Sequence, residues 1–97
     1  MHLKFEWDED KNRKNRLKHG VDFEEAKSVF DDEYAIQIFD NEHSDYEDRF
    51  ITVGMSIKYR ELFVCYCERA GDVIRIISAR KAQNKEKISY HNKKGGF

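Results

Sequence analysis

Apolar positions are unevenly spaced along the chain, and their spacing predicts its elements. Between Trp7 and Val21 the only apolar residue is Leu17. Asp8 in a capping position, acids at the front, bases at the back and Gly20 just beyond predict a helix ending at His19. With so few apolar residues this helix reads as a solvated rod, anchored through Trp7 and Leu17. Asp22 with Glu25 then reads as a capping box. Phe23, Ala26, Val29 and Phe30 follow at the three-to-four spacing of a buried helical face. Residues 34–39 have the β-branched and aromatic content of a strand, and the polar stretch 40–48 reads as a loop.

From Arg49 the texture changes. Residues 49–57, 60–69 and 73–80 are strand-like, and their short connections fit only hairpins between antiparallel neighbours. Residues 81–92 read as a basic helix with Ala82 and Ile88 as sparse anchors. The expected fold is α+β: two N-terminal helices, a four-stranded, mainly antiparallel sheet and a C-terminal helix, forming one domain over residues 1–97. Simple alternation puts Val73, Arg75, Ile77 and Ala79 on one face of the last strand and Ile74, Ile76, Ser78 and Arg80 on the other. One arginine is thus expected on each face.

Composition refines this picture. At 97 residues, 38% charged yet 13% aromatic, the chain is polar but suited to a small packed core. Its net charge of −1 hides a segregation: residues 21–48 hold eleven acids and one base, residues 49–97 eleven bases and four acids. The basic half suits an anionic ligand, and the acidic stretch a basic partner. The start of the chain lacks a secretory pattern and no apolar run reaches membrane-spanning length, so a cytoplasmic protein without a membrane partner is expected. Cys65 and Cys67 fall on one face of one strand, where they cannot readily bridge each other, and no second pair completes a zinc set. Asp31, Asp32, Glu33, Asp40, Glu42 and Asp45 lack the glycine and closing glutamate of a calcium loop. No phosphate-cradling glycine loop is present either. No metal or cofactor is expected.

The candidate chemistry rests on arginines and one histidine. Guanidinium groups at Arg49, Arg69, Arg75 and Arg80 can fork onto phosphate oxygens of an anionic polymer such as RNA. They can equally pair with Glu47, Asp48, Glu61 or Glu68. His43 lies in the acidic loop, where an imidazole can serve as acid or base near neutrality, or simply bond its own turn. His19 is better explained as a helix C-terminal cation and His91 as part of the basic last helix.

Several segments in order resemble the BrnT toxin family. They are Phe5-Glu6-Trp7-Asp8; Lys18-His19-Gly20-Val21 with Phe23-Glu24-Glu25-Ala26; Phe30-Asp31-Asp32; Asp40 with His43; Glu47 with Arg49; Gly54 with Ser56; and Ile74 through Arg80. The resemblance reaches to about Tyr90. Asp32-Glu33-Tyr34 lacks the proline often found there, and Ile57-Lys58-Tyr59-Arg60 replaces a smaller hairpin turn. The resemblance implies a type II toxin with a RelE-like fold that attacks RNA without a metal and halts translation. It also implies neutralisation by a BrnA-type antitoxin, in a complex that reaches operator DNA only through the antitoxin. Attack of a ribose 2′-hydroxyl on its phosphate then needs a proton-transfer group and a cation on the developing charge. His43 is the candidate acid or base, Glu47 the alternative base, and Arg49 and Arg80 the phosphate stabilisers. Arg69, Arg75, Lys81 and Lys85 would track the RNA backbone. The alternative is a non-enzymatic module that binds nucleic acid or the antitoxin.

Overall fold

The computed structural model describes residues 3–44 and 46–95; Asp45, considered as an oxygen ligand, lies outside them. In chain order the elements are β1 (Lys4–Glu6), α1 (Glu9–His19), α2 (Phe23–Ser28), β2 (Ile36–Phe39), β3 (Arg49–Met55), β4 (Glu61–Arg69), β5 (Val73–Lys81) and α3 (Asn84–Lys94). Two single-turn 3₁₀ segments, Val29–Asp31 and Asn41–His43, complete them. The sheet runs β1-β5-β4-β3-β2. The four expected strands form its antiparallel body. A fifth comes from the extended start of the chain, which lies parallel to β5 with Phe5 opposite Ile74 and Glu6 opposite Arg75.

α1 begins and ends where its caps dictate. The Asp8 carboxylate accepts from the N–H groups of Asp10 and Lys11, and Gly20 closes the helix in the left-handed region at φ 70°. Of the two expected anchors, Trp7 packs on the core against Phe23, but Leu17 is 81% exposed, whereas Asn12 and Asn15 are buried. β1 covers only Val73 to Arg75, so the β5 edge beyond it needs another partner. Asn15 supplies that partner: its amide donates to Ala79 O (2.8 Å) and Val21 O (2.9 Å), and its oxygen accepts from Ala79 N–H (3.1 Å). Asn12 accepts from Phe23 N–H at 2.9 Å. Hydropathy counts such residues as surface, but here the Asn15 amide stands in for a missing strand.

α2 presents Phe23 and Ala26, with Val21 and Val29 at its ends, to Leu62, Val64, Tyr66, Ile74, Ile76 and Ala79 on one face of the sheet. Its capping differs too. Asp22 accepts from Glu24 N–H, but Glu25 does not turn back to close the box. Instead the buried Glu25 carboxylate accepts from Arg60 and, at 2.7 Å, from Ser56 Oγ, locking α2 to the β3–β4 hairpin. The Arg60 guanidinium holds that carboxyl below its usual range, against the opposing effect of burial.

α3 covers part of the opposite face, where Val53, Ala82 and Tyr90 gather with Ile36, Ile51, Met55 and Phe63. The helix starts at Asn84 rather than at residue 81: Lys81 still belongs to β5 and the buried Ala82 lies between the two elements, while Ile88 is 61% exposed and Tyr90, at 1%, anchors the helix. Tyr90 also donates its hydroxyl to Asp32 at 2.6 Å. A second Asp32 contact, from Met55 N–H at 2.8 Å, ties the same carboxylate to β3.

The last strand departs from simple alternation. Cys65 is opposite Ser78 but its neighbour Tyr66 is opposite Ile76, so Ile77 has no partner and forms a bulge. Beyond it the phase reverses: Ile74, Ile76 and Ala79 enter the helix-covered core, while Arg75, Ser78 and Arg80 share the other face. The expected division of the two arginines between faces is therefore corrected by one inserted residue.

Candidate active site

The face opposite α1 and α2 carries the candidate arginines. Register places Arg49, Cys67 and Arg75 in one row, Ile51, Cys65 and Ser78 in the next, and Val53, Phe63 and Arg80 in the third. Arg69 follows Cys67 two positions along β4 on the same side. All four candidate arginines thus emerge on one sheet face, partly roofed by α3.

At the Arg49 end, the short 3₁₀ turn folds the acidic loop against the start of β3. Asp40 N–H donates to Arg49 O at 2.8 Å, and Ser44 Oγ accepts from Arg49 N–H at 3.1 Å while donating to Asp40 O. This stitching brings the nearly buried Asp40 carboxylate 3.0 Å from His43 Nδ1. The imidazole is fixed at one nitrogen, and Nε2 remains for chemistry. Glu42, His43, Tyr46, Glu47 and Arg49 together line a hollow of about 350 Å³. Asp40 was not among the expected site residues; its position three before His43, spanning one turn, was the signal for it.

The cations differ in what holds them. Arg69 pairs with Glu47 at 3.3 Å, Arg75 with Glu6 at 2.8 Å, and Arg80 with Glu86 at 2.8 Å. Arg80 is held twice over, by a bidentate fork to Glu86 and by stacking 3.8 Å above the Phe63 ring centroid. Burial pushes the Glu86 carboxyl up, but the Arg80 fork and Gln83 N–H outweigh it and keep it below its ordinary range. Arg49 alone among the candidate arginines has no ion-pair partner among the described residues. It lines the same hollow as His43.

The candidate residues therefore fall into two groups. His43, Glu47, Arg49, Arg69 and Arg75 gather near the loop end of the sheet, and Arg80, Lys81 and Lys85 near α3. From strand geometry, Arg49 and Arg80 lie roughly 16 Å apart at Cα. Lys81, one residue past Arg80, turns toward a separate hollow with Tyr59, Arg60, Glu61 and Lys87, and Lys85 is exposed in the first turn of α3. Between the groups, burial raises the Cys65 thiol, and burial together with Glu47 pushes Cys67 up to about 11. Both remain thiols near neutrality, so neither is an activated nucleophile.

Among the described residues no helix is long and apolar enough to cross a membrane. Residues 7–86 match the family model of the ribonuclease toxin BrnT of type II toxin–antitoxin systems. The crystal structure of the Brucella abortus ribonuclease toxin BrnT shares the fold, with a TM-score of 0.66 at 22% identity over 86% of this chain and all of that one. No curated protein sequence matches the chain.

Proposed function

The chain belongs to the BrnT family of ribonuclease toxins of type II toxin–antitoxin systems, and we propose that it is a metal-independent endoribonuclease centred on His43 and Arg49. The observation that carries this reading is their convergence in one hollow, with His43 fixed by Asp40 and Arg49 unpaired among the described residues. The 2′-hydroxyl of a bound ribose loses its proton and O2′ bonds to the adjacent phosphorus. The bond to the 5′-oxygen then breaks as that oxygen is protonated, leaving a 2′,3′-cyclic phosphate and a free 5′-hydroxyl. His43 is the proton-transfer group, and Arg49 neutralises the charge that builds on the non-bridging oxygens.

Glu47, with its carboxylate on Arg69, positions that arginine more readily than it serves as a base. Arg80 is too far along the sheet to share one phosphate easily with Arg49. It suits the next phosphates of the strand, with Arg69, Arg75, Lys81 and Lys85 supporting the backbone. Cleavage of RNA in the cytoplasm halts translation, and a BrnA-type antitoxin silences the toxin. Operator DNA is reached only through that antitoxin.

The test is cleavage of RNA by the purified protein in EDTA, compared with its His43→Gln and Arg49→Ala variants. Cyclic-phosphate product from the parent and its loss in both variants supports the assignment. Salt-sensitive RNA binding without any product would instead favour a binding module, and full activity in Arg49→Ala would remove that residue from the centre.

A further inference from the structure

Tyr59 occupies a backbone conformation that its side chain disfavours. The hairpin between β3 and β4 is closed by Ser56 N–H to Arg60 O (2.8 Å) and Tyr59 N–H to Ser56 O (2.9 Å), and Tyr59 has φ 59°. A left-handed residue in a short hairpin is normally glycine, asparagine or aspartate, because a larger side chain crowds the following carbonyl. The hairpin between β4 and β5 follows this rule with Gly71 at φ 80° and Asp72 at φ 61°. Nor does burial explain a tyrosine here: Tyr59 is 87% exposed. The ring gains neither backbone comfort nor packing.

Its surroundings are cationic. Tyr59, Arg60, Glu61, Lys81 and Lys87 line a hollow of about 230 Å³, and the exposed Lys58 directly precedes the ring. Arg60 is committed to Glu25, while Glu61 Oε2 lies 2.5 Å from His91 Nε2 but accepts no hydrogen bond among the described residues. Lys58, Lys81 and Lys87 have no carboxylate partner among the described residues. An exposed aromatic face amid unpaired ammonium groups matches what a single nucleic-acid strand requires: a platform for the base and point charges for the flanking phosphates.

We propose that Tyr59 is a stacking platform for an unpaired base of the RNA, with Lys58, Lys81 and Lys87 holding the phosphates around it. The inference rests on RNA as the substrate, and extends the bound strand past Arg80 to the end of the sheet. Recognition by stacking tolerates any base, so the subsite adds affinity and register more than sequence choice.

A short fluorescent oligonucleotide with 2′-O-methyl riboses, which lacks the attacking hydroxyl, reports binding without cleavage. Tyr59→Asn relieves the backbone and is expected to raise Tm by about 5 °C. The same variant should bind the probe about tenfold more weakly. Tyr59→Phe should keep the affinity of the parent. The double change Lys81→Gln with Lys87→Gln should flatten the salt dependence of log K by about 1.4. Equal affinity of the parent and Tyr59→Asn for the probe would overturn the subsite while leaving RNA as substrate. Absence of any binding by the parent would overturn both.

Discussion

Arg75 and Arg80 project from the same face of β5, although five positions separate them and an unbroken strand would set them on opposite faces. The unpaired Ile77 makes the difference. It lets Ile74, Ile76 and Ala79 fill the core while Arg75 and Arg80 join Arg49 and Arg69 on the open face. The cationic surface thus depends on backbone register as much as on residue type.

Deleting Ile77 removes the bulge itself and leaves Ile74, Ile76 and Ala79 facing the core, with Arg75, Ser78 and Arg80 still on the open face. The variant is therefore expected to keep cooperative thermal unfolding, and loss of it would refute the register. Ile77→Thr keeps the bulge and should cost about 1 kcal/mol or less.

Arg49→Ala is expected to lower the rate of RNA cleavage by about 10²- to 10³-fold with an unchanged circular-dichroism spectrum. Asp40→Asn leaves His43 less firmly oriented, and should lower the rate less than His43→Gln does. Initial rates on a labelled RNA separate these effects.

Asn15→Leu keeps side-chain volume but strips the partner from Ala79 N–H, Ala79 O and Val21 O. It should cost about 3 kcal/mol in urea unfolding. Leu17→Ala, on the exposed side of the same helix, should change stability by about 0.5 kcal/mol or less. The reverse ranking would refute the asparagine anchor.

Gly54 is required for close approach. A Cβ there would meet Ala35 Cβ and Val29 Cγ1 at 2.9 Å and Asp32 Oδ2 at 3.2 Å. Gly54→Ala is expected to destabilise by about 1–3 kcal/mol, measured by the midpoint of urea denaturation.

Acid should weaken the fold in a defined direction. Glu25 and Glu86 are held below the ordinary glutamate value of 4.5, and Asp22 and Asp32 below the aspartate value of 3.8. Because their folded-state values are depressed, the unfolded chain takes up protons first as pH falls. Their contribution is complete above the unfolded values and is lost as pH drops through the folded ones. Thermal unfolding from pH 6 to pH 2 should show Tm falling mainly below about pH 4.5. Tyr90→Phe removes one of the hydrogen bonds that depress Asp32 and should shrink that fall.

Local signals made the framework legible. Asp8 and Gly20 bounded α1, Asp22 started α2, and short connections joined β3, β4 and β5 in one antiparallel order. Nonlocal terms were not legible. The extended start at Phe5 becomes a strand only because Ile74 lies beside it, and Asn15 becomes an anchor only because β1 ends too early to cover Ala79. Tyr90 rather than Ile88 holds α3 because its hydroxyl has Asp32 to meet. For the candidate site, the residue types were readable from charge and chemistry, and the pairing of Asp40 with His43 lies within a single turn. The gathering of the arginines was hidden, because counting alternate positions carries no information about a bulge.

α3 is joined to the sheet largely by polar clasps. Tyr90 reaches Asp32, Glu86 reaches Arg80, His91 reaches Glu61 and Lys93 reaches Ala35 O, whereas its buried apolar contact centres on Tyr90. Such contacts exchange readily with water, so this helix should be the unit that opens at the lowest free-energy cost while the β4–β5 pair stays closed. Opening would uncover Phe63 and Val53 and release Arg80 from Glu86 in a single event. Local unfolding and the pairing of Arg80 are therefore expected to form one equilibrium, and amide exchange along α3 should track the availability of Arg80.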